Sequence, residues 1–348
     1  MITIQDIDDY HRQINPYKSN STYSTMRYNI IRLQKITKKN IDDLIIDDFV
    51  DLKSVKILLE KYALNTQIQT LQGIKIFLKF KNADIDLIEN YNNLVKEFSN
   101  KSKEISEKNE MTENEEKNWI DYEDLKLKFK TYYNDIFLKE TEDMNIEDLN
   151  NYNTYNKFRN ILLLSFFIEI PPTRIGNYMY MKVRTKKIRT GKSLFKEHNY
   201  LMDNLDGTYE LVFNKYKTAK FIGQVNHIVK KDTILADIIH KYLVIRNNYI
   251  NNKSKTELLL AKDKSPMSQT NITDTLKYIS RKVIGKELST NLFRHIFINH
   301  FLTNNYSIEE KKKVANFIGQ TWSPNMMDIY ARVKLPKEKE NKLIVSFD

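Results

Sequence analysis

The sequence predicts an α+β protein that is mostly α: an all-helical first half, then helices around a small antiparallel sheet in the second. Three observations predict it. Roughly the first 95 residues carry apolar side chains at helical spacing, residues 209–229 hold two strand-like runs, and the helical pattern resumes beyond residue 230.

In chain order, Val55, Leu58, Leu59 and Tyr62 lie at i, i+3, i+4 and i+7 and form one apolar helix face. Thr66 with Gln69 reads as a capping box opening the next helix, with Ile68, Leu71, Ile74 and Leu78 on its buried side. Residues 98–120 are charged and lack Gly and Pro, which predicts an exposed helix or helix–loop; Trp119, Ile120 and Leu125 then resume an apolar pattern. A domain boundary is expected near residue 145, giving domains 1–145 and 146–348. From Tyr155 an apolar helix (Phe158, Ile161, Leu162, Leu164, Ile168) runs into Pro171-Pro172, where proline must end it. Thr173 is the expected cap of a helix carrying Arg174, Tyr178 and Met181. Tyr209–Phe213 and Phe221–Val229 read as strands joined around Tyr216-Lys217-Thr218-Ala219-Lys220. Helices follow, one of them opened by Thr290 as its N-cap.

Composition narrows the class. The 348 residues suit two domains with real cores, and the absence of cysteine excludes disulfides and thiolate metal sites. No run approaches the ~20 apolar residues of a membrane span, and Met1–Asp6 lacks signal-peptide character. A soluble intracellular protein is expected. The net charge of +11 alone also fits the Lys-, Asn- and Ile-rich coding of an AT-rich genome. Its distribution says more. Residues 150–348 carry 34 basic and 17 acidic side chains, against 22 and 28 before them, so a polyanion partner is expected for the second half.

Four clusters in that half carry candidate chemistry. They are Pro172-Thr173-Arg174-Ile175-Gly176-Asn177, Tyr216-Lys217-Thr218, Asn291-Leu292-Phe293-Arg294-His295, and Ile318-Gly319-Gln320 followed by Tyr330. A phosphodiester under attack builds charge on its non-bridging oxygens, and arginine meets it with a permanently charged planar fork. Arg174 stands at a predicted helix start, where backbone N–H groups also favour anions. Arg294 lies in an apolar helix and needs a partner or a polyanion; Asn291 shares its face at i, i+3. A lysine in a hairpin turn can protonate a leaving oxygen. Lys215, Lys217 and Lys220 all stand in or beside the expected turn. Tyr330 needs neighbouring cations to act as a nucleophile, because a phenol ordinarily titrates near pH 10. The cluster Arg184, Lys186, Lys187, Arg189 and Lys192, with Lys220, reads as contacts to DNA backbone phosphates.

The order and spacing of these clusters resemble the tyrosine recombinase (integrase) family, with Tyr330 lying 36 residues after Arg294 and 10 after Gln320. The resemblance covers most of the chain. It implies a helical core-binding domain, a catalytic domain over residues ~150–335, and an active site of Arg174, Lys217, Asn291, Arg294, Gln320 and Tyr330. It further implies cleavage and rejoining of DNA through a 3′-phosphotyrosyl link, with no metal and no ATP. The chain departs from the family in three places. Asn291 replaces the usual His, Gln320 (or Trp322, if the loop is displaced) the usual His or Trp, and Asn177 a frequent acidic residue. Amides keep hydrogen bonds but move no protons, so these changes bear on proton transfer rather than on the phosphate grip. His295, next to Arg294, is expected to support structure. Lys101-Ser102-Lys103, Asn118-Trp119-Ile120 and Ser307–Lys312 are similar to integrases of virophages, large DNA viruses and related mobile elements. The implied partner is double-stranded DNA, bound by a protein that is monomeric when free and tetrameric on paired sites. The terminal Leu343-Ile344-Val345-Ser346-Phe347 is expected to be buried, either on its own domain in the free protein or, as the resemblance implies, on a neighbouring protomer on DNA. A type IB topoisomerase, or a DNA-binding protein with impaired catalysis, is the alternative.

Overall fold

The computed structural model describes residues 2–108, 110–142, 144, 149–186, 196–251, 255–304 and 306–319. Two compact units divide at Lys108/Asn109, earlier than the expected boundary near 145. The reason is packing: Ile120, Tyr122, Leu125, Phe129 and Phe137 are buried in the same core as the apolar helix that begins at Tyr152.

The first unit is helical, with α1 (Ile4–Ile14), α2 (Asn20–Thr37), α3 (Leu52–Leu59), α4 (Leu64–Phe80) and α5 (Ile85–Glu107). Val55 and Leu59 are buried as their spacing predicts, but Leu58 is exposed and Tyr62 lies beyond the helix end. Ile68, Leu71, Ile74 and Leu78 are all buried. The expected capping box at Thr66 is absent: α4 starts at Leu64, and Thr66 already donates its backbone N–H to the Ala63 carbonyl. Gly73 permits α2 and α4 to approach, since a Cβ there would lie 3.0 Å from Asn29 Cβ. Each fully buried Leu, Ile or Phe in this core contributes about 1.5–3 kcal/mol against chain entropy.

The second unit is mostly helical with a mixed four-stranded sheet, so the chain is α+β. Its helices are α6 (Glu113–Asn118), α7 (Tyr122–Tyr132), α8 (Lys139–Glu142), α9 (Tyr152–Ile168), α10 (Ala219–Ile222), α11 (Ile234–Ile250), α12 (Gln269–Ile284), α13 (Thr290–Thr303) and α14 (Ile308–Phe317). The strands β1 (Lys182–Thr185), β2 (Tyr200–Asp203), β3 (Tyr209–Phe213) and β4 (Val225–Val229) lie in that order. Pairing is antiparallel through β2–β3–β4, as expected, while β1 adds in parallel to β2. The strand expected from Phe221 begins only at Val225, because residues 219–222 close into the helical turn α10.

Helix α9 is the hub. Phe158, residues 161–164 and residues 166–168 are all buried, which a helix apolar on every side requires. Its one buried cation, Arg159, donates to the Leu260 carbonyl at 2.7 Å and to Asn160 at 3.1 Å. From α11, Arg246 reaches the carbonyls of Glu257 and Lys255. Buried guanidinium groups are costly unless hydrogen-bonded. Here they are bonded to backbone, and they fix the segment at 255–260 against the sheet edge, where Leu258 N–H also meets the Met181 carbonyl.

Candidate active site

Aromatic packing sets the positions of the candidate residues. Phe166 of α9 stacks on Tyr178 with centroids 5.0 Å apart, and Tyr178 meets Phe213 of β3 edge-on at 5.9 Å. Phe213 meets Phe317 of α14 at 5.8 Å, and Phe317 meets His227 of β4 at 5.1 Å. Phe293, next to Arg294, packs on Phe167 at 5.5 Å. Such pairs add roughly 0.5–1.5 kcal/mol each beyond area burial. Every candidate segment thus carries a buried aromatic within a few residues of the polar group it presents.

The convergence point is the C-terminal end of α14. The helix stops because Gly319 adopts the left-handed conformation, φ 72°. Glycine ends helices this way at little cost. Arg174 Nη1 donates to the Gly319 carbonyl at 3.1 Å, and the Thr218 hydroxyl donates to the same oxygen at 2.9 Å. Arg294 Nη1 donates to the preceding carbonyl, Ile318 O, and to Pro172 O, each at 3.2 Å. Two cations at a helix C-terminus also suit its dipole. Three of the four clusters therefore meet at the first two residues of the fourth. Together they fix the last described turn before Gln320.

The two arginines differ in setting. Arg294 is 3 % exposed and braces two chain segments. Arg174 is half-buried, and Gly319 O takes one donor of a fork that carries five. It does not sit in the expected helix: Arg174 is itself the cap of a single 3₁₀ turn, Ile175–Asn177, which runs directly toward β1. Thr173 is fully buried. In α13 the N-cap is Ser289, not Thr290, with the Ser289 hydroxyl accepting from Leu292 N–H. Asn291 is exposed although Arg294, three residues on, is buried. His295 is buried.

Lys217 is exposed, in the turn that follows β3. Tyr216 beside it donates to the Gly223 carbonyl at 2.6 Å. Burial raises the Tyr216 phenol, and it raises Tyr178 more, with the Thr173 hydroxyl and the Arg294 charge acting against it. Neither suits nucleophilic attack. Of the expected phosphate contacts, Arg184 lies in β1 and donates to Val183 O, Lys186 is exposed, and Lys220 is exposed over the Phe221 ring. Gln320, Trp322, Tyr330, Lys187, Arg189 and Lys192 lie outside the described residues. Among the described residues there is no group of three His, Cys, Asp or Glu able to hold a metal ion, and no helix long and apolar enough to cross a membrane.

Sequence reasoning gave no role to the Gly319 carbonyl, the Thr218 hydroxyl or Asn199. Asn199 is buried and bonds both the 3₁₀ turn after Arg174 and the turn before Lys217. Glycine in Ile318-Gly319-Gln320 was a usable signal for the helix stop. Nothing in His198-Asn199-Tyr200 distinguishes that asparagine from the chain's many others.

No protein-family model matches this chain. No curated protein matches it either. Among solved structures it is similar to one described as the crystal structure of XerA recombinase, at 14 % identity and a TM-score of 0.37, over 98 % of this chain and 96 % of that one.

Proposed function

We propose that this protein is a site-specific DNA recombinase that cuts and rejoins DNA through a tyrosyl–phosphate link. The observation that carries the reading is the meeting of Arg174, Thr218 and Arg294 at the Ile318 and Gly319 carbonyls. Two guanidinium groups and the turn bearing Lys217 are thereby held where the segment leading to Tyr330 begins. The basic excess of the second half supplies attraction for a polyanion.

In this reading Tyr330 attacks the scissile phosphorus, and Arg174 and Arg294 stabilise charge on the non-bridging oxygens. Lys217 protonates the departing 5′ oxygen. Asn291 and Gln320 donate hydrogen bonds only, so the phenol's proton passes to water. A 5′-hydroxyl from a second strand then attacks the phosphorus, giving up its proton to Lys217, while the bond from phosphorus to the Tyr330 oxygen breaks; the phosphodiester is restored and the released phenolate takes a proton from water. No step calls for a metal or ATP. The first unit and residues 184–192 contact the duplex, and the similar motifs favour an integrase of a virus or mobile element.

The test is a nicked duplex that loses its 5′-hydroxyl fragment on cleavage and so traps the intermediate. The protein should form a covalent adduct with it and exchange strands between two marked duplexes. Binding without an adduct contradicts the reading in favour of a DNA-binding protein. An adduct with supercoil relaxation but no strand exchange points to a type IB topoisomerase.

A further inference from the structure

Asn199 is 5 % exposed and uses its whole hydrogen-bonding capacity on backbone. Its Nδ2 donates to the Asn177 carbonyl at 2.8 Å and to the Lys215 carbonyl at 3.0 Å. Its Oδ1 accepts from the N–H groups of Asn214 and Lys215, both at 2.8 Å. Its own carbonyl accepts from Lys182 N–H at 2.8 Å, which fixes it to β1. Asn177 stands three residues after Arg174, and Lys215 two before Lys217. One buried amide therefore joins the arginine segment to the lysine turn.

Lys217 itself is exposed, so its placement has to come from the backbone that carries it. A side chain that served only to cap this turn would need its bonds to residues 214 and 215 and no more. The fourth bond, to Asn177, makes the turn's position relative to Arg174 depend on Asn199. We propose that Asn199 is a positioning residue that holds the Lys217 turn in register with the Arg174 segment; this rests on the recombinase reading. Misplacing a proton donor by about 1 Å costs on the order of 10²-fold in rate.

The experiment compares two nicked duplexes, one ordinary and one with sulfur in place of the bridging 5′ oxygen at the cleavage site. A thiolate leaves without a proton, so the sulfur duplex bypasses the lysine. Asn199→Asp keeps the shape and the acceptor but turns both Nδ2 donors into an oxygen facing two carbonyls. It should form adduct about 10²-fold more slowly on the ordinary duplex, and within about three-fold of wild type on the sulfur duplex, as Lys217→Ala should. Unchanged affinity for uncleaved DNA accompanies this pattern. An equal defect on both duplexes, or no defect on the ordinary one, overturns the proposal. Amide hydrogen exchange on the full-length protein provides a readout free of chemistry and also serves if wild type forms no adduct, the outcome that defeats the recombinase reading itself. Asn199→Asp, or Asn199→Ser if the first variant does not fold, should speed exchange at both 174–178 and 214–218. Acceleration confined to 214–218 refutes the coupling.

Discussion

A guanidinium 3 % exposed and one half-buried do different work even when they grip consecutive carbonyls. Arg294 bonds Pro172 O and Ile318 O, so its removal leaves buried acceptors unpaired, at about 1–3 kcal/mol each. Arg174 bonds one carbonyl at the edge of the site and has donors left for phosphate oxygens. Arg174→Ala and Arg294→Ala are each expected to slow adduct formation by about 10²–10³, the typical cost of one lost oxyanion donor. Only Arg294→Ala should also lower the urea midpoint appreciably. Cleavage within a few-fold of wild type in either variant removes that arginine from the site. Both arginines stood out in the sequence, Arg294 as a charge in an apolar helix and Arg174 as a charge at an expected helix start just after Pro171-Pro172. The carbonyls they hold did not, since backbone atoms leave no trace in residue identity.

At the scale of elements, strong periodicity was legible and short or tertiary-defined elements were not. Helix α9 and strand β3 follow their apolar patterns, and β3 spans the expected Tyr209–Phe213. Strands β1 and β2 are four residues each, too short for alternation to register, and the parallel pairing between them is set by tertiary packing. The Arg174 segment reads as a helix start in sequence, yet it makes one 3₁₀ turn before β1 takes the chain away. The element contacts also carry a pH prediction. Burial against Phe317 lowers the His227 imidazole below its ordinary value of 6.5. Above that value folded and unfolded chains both hold it neutral, so no stability depends on it. As pH falls through about 6.5 the unfolded chain takes up the proton first, and stability drops until the folded-state group titrates. His11 and His198 are shifted the same way by burial, so the wild-type curve alone does not isolate the effect. Thermal midpoints measured from pH 8 to pH 5 should therefore fall less steeply for His227→Gln than for wild type. Parallel curves contradict the assignment.

At the scale of the whole molecule, the proposed reading makes the basic second unit the DNA-directed part and has the segment bearing Tyr330 complete its site. The tail after Tyr330 ends in four large apolar residues among Leu343-Ile344-Val345-Ser346-Phe347, and such residues gain roughly 1.5–3 kcal/mol each on burial. In the proposed reading that surface is covered by a neighbouring subunit on DNA. Deleting residues 340–348 should spare binding and cleavage at a single site while lowering cooperativity at paired sites. Band-shift titrations on one-site and two-site duplexes check this, and unchanged cooperativity makes the tail a purely internal element. In the proposed mechanism the segment beginning at Gly319 delivers Tyr330 to a phosphate held by Arg174 and Arg294. Tyr178 and Tyr216 are set aside because burial raises both phenols, and Tyr306 packs on Phe301 with centroids 4.4 Å apart. The most direct measurement is to trap the protein on the nicked duplex, digest it and identify the nucleotide-bearing peptide by mass spectrometry. The modification should fall on Tyr330 and vanish in Tyr330→Phe, with DNA affinity unchanged because phosphate contacts dominate it. A modification on Tyr306 or any other residue, or an adduct that survives Tyr330→Phe, contradicts the account.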